Sequence, residues 1–155
     1  DGVISQSIQQ RDDFWKVRES MPEANRRTGA ISSSDLSVPI SRIPEFISRA
    51  KQGLSDFGEF RINCFGHVGD GNIHYNVFPL PGESRSDRDH DRKKVKKILY
   101  DIVSDMEGSF SAEHGIGRLK TKELSLYSDP TKIELMRSIK GTLDPKGIMN
   151  PQKII

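Results

Sequence analysis

The sequence is short of several things, and each shortage excludes a class of protein. It has one cysteine, Cys64, so no internal disulfide can staple it. Its formal net charge is only +2, too small a surplus to argue for nucleic acid or an anionic membrane as partner. No apolar run approaches the roughly 20 residues that cross a bilayer. The opening Asp1-Gly2-Val3-Ile4 carries no signal-peptide pattern and no initiator methionine, so the chain reads as a fragment of something longer. The compartment expected from these features is the cytoplasm or the membrane periphery. What is present is a length of 155 residues, enough for one domain with a sizeable core. Cys64 alternates with Phe60 and Ile62, which marks it as a small core side chain rather than a nucleophile.

Hydrophobic periodicity gives the element order. Residues 3–19 read as a helix, with Ile4, Ile8 and Trp15 near one side and Phe14 beside them. Pro22 and Gly29 then suggest an irregular connector, Met21 to Gly29, on which Arg26 and Arg27 are either surface residues or ligands of an anionic substrate. Asp35-Leu36-Ser37-Val38 alternates as a half-buried strand does. Ile43, Phe46, Ile47, Ala50 and Leu54 recur at helical spacing, with Pro44 in the first turn. Two strands follow at about 59–67 and 73–79, and Gly82 to Arg92 reads as a charged, mobile loop. The charges from Arg85 to Lys97 read as a solvated face, because Asp87, Asp89 and Asp91 interleave with the bases.

The clearest helix carries Val95, Ile98, Leu99, Ile102, Val103 and Met106 on one stripe, with Gly108 as a C-terminal stop. A strand at about 109–114 and a helix from Arg118 to Leu126 come next. Ser128-Asp129-Pro130 is a helix start, and Ile133, Met136 and Ile139 give that last helix an apolar side. The closing segment, Leu143 to Pro151, is irregular. The order β-α-β-β-α-β with extra helices at both ends predicts an α+β fold of ferredoxin-like type, an antiparallel sheet with helices mainly on one face.

Chemistry concentrates in Gly66-His67-Val68-Gly69-Asp70-Gly71-Asn72-Ile73-His74, where two imidazoles stand at the stems of one glycine turn. A second polar pair, Glu113-His114, precedes Gly115-Ile116-Gly117. Imidazole with carboxylate suits a hard or borderline metal ion. The same spacing also fits a hairpin whose histidines are merely hydrogen-bonded, and residue spacing leaves both readings open. Asp70 reads as a turn residue bonding its own backbone. Strict strand alternation would send Glu113 and His114 to opposite faces, so both serve one site only if the strand ends there and Gly115 redirects the backbone.

Taken together, the Gly66 to Asn76 run, the Ser111 to Gly117 run, Asp35-Leu36-Ser37-Val38-Pro39 with Arg42-Ile43-Pro44, and the ending Leu143-Asp144-Pro145-Lys146-Gly147-Ile148-Met149-Asn150-Pro151 resemble the C-terminal domain of FAD-linked oxidases. These are flavoenzymes of the vanillyl-alcohol-oxidase type, among them glycolate oxidases, D-lactate dehydrogenases and D-2-hydroxyglutarate dehydrogenases. The resemblance covers roughly residues 14 to 155. It implies a domain that caps the substrate side of FAD and oxidises a D-2-hydroxy acid when joined to its flavin-binding domain. It implies that His67, His74 and Glu113 hold a divalent ion, zinc-like in one branch, and that Asn76 contacts the substrate. It implies that Arg18 pairs with the substrate carboxylate, as a planar donor fork can. His114 is then the base for the hydroxyl proton, since an imidazole ordinarily titrates near neutrality. In the closing stretch it implies that Asn150 meets the cofactor.

Two departures accompany the resemblance. Ser33 stands where many relatives have a lysine that serves the acid's carboxylate. No glycine-rich dinucleotide or pyrophosphate loop is present, so residues 1–155 read as one domain, the substrate- and metal-binding C-terminal part of a larger enzyme, inactive alone. The expected partners are a small 2-hydroxy acid, the flavin domain in cis and an electron acceptor of unspecified kind, with a homodimer left open. Two other functions compete with this one. The first is a ferredoxin-like assembly module without chemistry. The second is a metal-free flavin oxidase domain for an alcohol or phenol.

Overall fold

A computed structural model describes residues 2–155 of the chain. The elements are α1 (Ile8–Thr28), β1 (Ser32–Ser37), α2 (Ile43–Ser55), β2 (Arg61–Phe65), β3 (Asn72–Phe78), α3 (Arg92–Asp105), α4 (Thr121–Tyr127) and α5 (Pro130–Leu143). The sheet is antiparallel in the order β1-β3-β2.

Its register follows from burial. On β3, Ile73, Tyr75 and Val77 alternate onto one face and are buried, with Leu36 of β1 opposite Ile73. The stripes of α2 (Phe46, Ala50, Leu54) and α3 (Val95, Leu99, Val103) cover that face, and Phe46 meets the Tyr75 ring edge-on at 5.8 Å. Full burial of each such side chain contributes about 1.5–3 kcal/mol, so a one-residue slip that exposed this face would cost far more than any single polar contact could return. The same alternation sends His74 and Asn76 to the opposite face. There they stand opposite Asp35 and Ser33 of β1 and Phe65 and Asn63 of β2. Packing of the core therefore places the site.

Several expectations need correction. The first concerns the fourth strand. Of residues 109–114, only Ser109 pairs, in one antiparallel bridge with Ser37 at the free side of β1. The chain then closes into a turn in which Gly115 N donates to Ser111 O at 2.9 Å. The ferredoxin-like order is thus kept with its outer strand reduced to a single bridge.

The second concerns Pro22, which does not end the first helix. One helix runs from Ile8 to Thr28 and closes on Gly29 in a left-handed conformation, φ 83°. Within its last turns Glu23 accepts from Arg26 at 2.8 Å and Arg27 at 2.9 Å. An interior proline costs about 3 kcal/mol, and propensity read locally stops the helix at that point.

The third concerns the segment before α3, which is a short 3-10 helix, Ser86–Asp91, rather than a free loop. Arg88 pins it by bonding Asp91 at 2.6 Å and lying over the Phe60 ring at 4.7 Å. The fourth helix likewise starts later than expected, at Thr121.

α5 begins as Asp129-Pro130 suggests, with the Asp129 carboxylate accepting from Thr131 N at 2.7 Å and Lys132 N at 3.3 Å. Ile133 is buried and Met136 packs on the core, but Ile139 is exposed. No helix among the described residues is long and apolar enough to cross a membrane.

Candidate metal and substrate site

The sheet face away from the core forms the floor of a cleft of about 750 Å³. α1 supplies one wall through Trp15, Arg18, Pro22, Asn25 and Arg26; the turn carrying Glu113 and His114 supplies another, and Arg85 closes one side. β3 contributes His74 and Asn76 from the floor, and the β2–β3 turn contributes His67.

That turn is forced by its sequence. Gly71 has φ 73°, and a Cβ there would stand 2.2 Å from Val38 O. Only glycine fits a left-handed position so close to neighbouring backbone. The short turn Val68–Asp70 leaves Asp70 exposed, in keeping with its reading as a turn residue.

The two imidazoles then face each other, ring centroids 5.5 Å apart and nearly perpendicular. His67 Nε2 lies 3.7 Å from Glu113 Oε2, and His74 Nε2 lies 3.6 Å from Glu113 Oε1. One donor atom from each of the three residues falls within 4.8 Å of the others. Two imidazoles and a carboxylate are a zinc-type donor set. Bonds of about 2.0–2.2 Å in a tetrahedral shell set neighbouring ligands roughly 3.3–3.6 Å apart. The residues therefore fit a divalent ion with small inward shifts.

The structure brings the other expected residues to the same cleft, with one exception. Arg18 lies over the Phe65 ring at 4.8 Å, and Phe65 in turn packs edge-on to His74 at 5.2 Å. Asn76 is buried on the floor, its Nδ2 donating to His74 O at 3.3 Å and Asn63 O at 3.4 Å. His114 is exposed at the mouth, its Nε2 3.6 Å from Glu113 Oε1. Glu113 and His114 share the site because no strand forms there and Gly115, at φ 67°, redirects the chain. Asn150 is not among the residues lining the cleft. It lies exposed in the closing segment, its carbonyl accepting from Lys153 N at 3.3 Å.

Three residues of this cleft have no role, or another one, in the sequence reading. Asp35 lies 3.2 Å from His74 Nδ1 and accepts from Glu113 N at 3.1 Å; its signal is an acidic residue at a cleft-facing strand position of an otherwise uncharged β1. Arg85 lines the cleft although it belongs to a charged run that reads as solvated. Ser33 also lines it, so the position expected to carry a cation presents a hydroxyl. Cys64 is half-buried against the core, and burial pushes its thiol up to about 11, in line with a packing role.

A small antiparallel sheet with α2 and α3 on one face, and a cleft walled by α1 with a two-histidine, one-glutamate cluster on the other, defines an α+β domain. The sequence profile of the FAD linked oxidases, C-terminal domain, matches residues 1–154, and the chain belongs to that family. It is 40% identical to a D-2-hydroxyglutarate dehydrogenase of Xanthomonas citri pv. viticola, an alignment covering 99% of this chain and 33% of the relative. It is 37% identical to the mitochondrial D-2-hydroxyglutarate dehydrogenase of Arabidopsis thaliana, over 100% of this chain and 26% of that protein. For the Danio rerio mitochondrial enzyme of the same name the figures are 34%, 100% and 28%. The chain thus spans between a quarter and a third of the length of these relatives.

Proposed function

We propose that this chain is one domain, the substrate-side part of an FAD-dependent D-2-hydroxy-acid dehydrogenase whose flavin is held mainly by protein outside these residues. The observation that carries the reading is the meeting of His67, His74 and Glu113 at one point on the floor of a cleft lined by Arg18, Arg26 and Arg85. In this reading His67, His74 and Glu113 hold a divalent ion of zinc type. The bound groups supply hydride acceptance by the flavin and polarisation of the substrate oxygens by the ion.

The chain's own residues do the rest. Arg18, stacked on Phe65, offers its guanidinium to the substrate carboxylate, and Asn76 orients the substrate from the floor. His114 accepts the hydroxyl proton on a ring nitrogen and, being exposed, passes it to water. C2 loses a hydride and the oxygen loses a proton, so a 2-hydroxy acid becomes a 2-oxo acid. Asn150, away from this cleft, is assigned to the flavin side. D-2-hydroxyglutarate is the first substrate to test, given the relatives' names. D-lactate is the comparison, because Ser33 leaves one acid-binding position without a cation.

The test uses the intact enzyme. His67→Ala, His74→Ala and Glu113→Gln should each lose bound metal, and kcat/KM for the preferred acid should fall at least a hundredfold. Metal content and turnover unchanged in all three would overturn the assignment in favour of a domain without chemistry. Full activity after exhaustive chelation would favour a metal-free flavin oxidase.

A further inference from the structure

We propose that Asp35 is the positioning residue of this centre, setting two of the three ligands and the proton acceptor with one carboxylate. The proposal rests on the metal reading above and adds a residue to it. Asp35 sits on β1, faces the cleft, and its side chain is only 10% exposed. Its Oδ1 lies 3.2 Å from His74 Nδ1 and accepts from Asn72 Nδ2 at 2.6 Å. Its Oδ2 accepts from the backbone N–H groups of Glu113 at 3.1 Å and His114 at 3.3 Å, and lies 3.9 Å from His114 Nε2. Asn72 also reaches Leu36 O at 3.3 Å, which ties the arrangement back to β1.

Each contact has a separate consequence. Oδ1, 3.2 Å from His74 Nδ1, holds that side of the ring toward β1. That leaves Nε2 on the side of Glu113, 3.6 Å from Oε1. A ring nitrogen and a carboxylate oxygen at that separation can serve one cation as neighbouring ligands. Oδ2 acts on the other arm. The turn at 111–117 is joined to the sheet by little backbone pairing beyond the Ser37–Ser109 bridge. The two N–H groups bound by Asp35 hold Glu113 and His114 over the floor from 78 and 79 residues away in sequence. Asp35 thus couples a ligand's ring orientation to the placement of a loop that carries another ligand.

The experiment compares wild type, Asp35→Asn and His67→Ala in the intact enzyme, with zinc affinity read by chelator competition and geometry by the visible spectrum of the cobalt-substituted protein. Asp35→Asn keeps the shape but loses one acceptor and gains a donor. Its zinc affinity should fall ten- to hundredfold, with an altered cobalt spectrum and an unchanged far-ultraviolet circular dichroism spectrum. Wild-type affinity and spectrum in Asp35→Asn would overturn the proposal while leaving the metal site standing. Failure of the wild type itself to bind zinc or cobalt would overturn the metal reading and this proposal with it. A second measurement needs no variant. Nitrogen-15 NMR of the zinc-loaded wild type should show His74 protonated at Nδ1 and unprotonated at Nε2, and the opposite tautomer would overturn the proposal.

Discussion

Cys64 shows how burial alone changes a residue's chemistry. Its thiol is displaced from 9.0 to about 11 by desolvation, so the thiolate fraction near pH 8 falls about a hundredfold. Alkylation by iodoacetamide at pH 8 should accordingly be at least tenfold slower in the folded chain than in urea, as peptide mass mapping would show. Equal rates would mean the strand edge opens freely. His74 makes a useful contrast with Cys64. The two lie on neighbouring strands, with Phe65 opposite His74 and Cys64 opposite Tyr75. Alternation gives one the cleft and the other the core, although both are polarisable donors that a motif search would treat alike.

Among the elements, the closing segment shows a loop fastened by one side chain. Asp144, buried at the end of α5, accepts from Ile148 N at 3.0 Å and Met149 N at 2.9 Å and pairs with Lys140. The Lys140 ammonium, followed by those amides, holds the Asp144 carboxyl below the ordinary carboxylate range. The sign follows from linkage. A lowered native value means the stabilisation is complete above the unfolded value, near 4, and is lost as pH falls through the native one. Amide exchange at Ile148 and Met149 should therefore be slow from pH 5 to 7 relative to Asp144→Asn, and the difference should shrink as pH falls below the ordinary carboxylate value. The expected strand at 109–114 gives way for a related reason. Alternating residues there have only β1 to pair with, and after one bridge the carboxylate of Asp35 takes over the backbone donors that a strand would have used.

Across the fold as a unit, apolar residues divide into two populations. Leu99, Val103 and Phe46 are fully buried between the sheet and its helices, whereas Ile8, Trp15 and Val17 on α1 are 71%, 57% and 61% exposed. Leu99→Ala should cost about 2–5 kcal/mol in urea denaturation of this chain, from lost burial and the cavity left behind. Val17→Ala should stay within about 0.5 kcal/mol. A large loss at Val17 would show that α1 packs more tightly than its exposure indicates. The same division shows that the apolar residues grouped near one side of the first helix stay exposed in the fold. Helical spacing of apolar residues reports amphipathicity but does not say what the apolar side meets.

Much of this domain is legible in its residues alone: the alternation on β3, the stripes of α2 and α3, the cap of α5 and the glycine turn that pairs His67 with His74. Each of these is a matter of near neighbours and fixed backbone periods. Three outcomes emerge only once the chain is folded. Helix α1 continues past Pro22, residues 109–114 form a turn, and Asp35 reaches Glu113 and His114 across 78 and 79 residues. Those outcomes depend on which distant donor or acceptor wins a given backbone group. Local propensity and spacing carry no information about that competition.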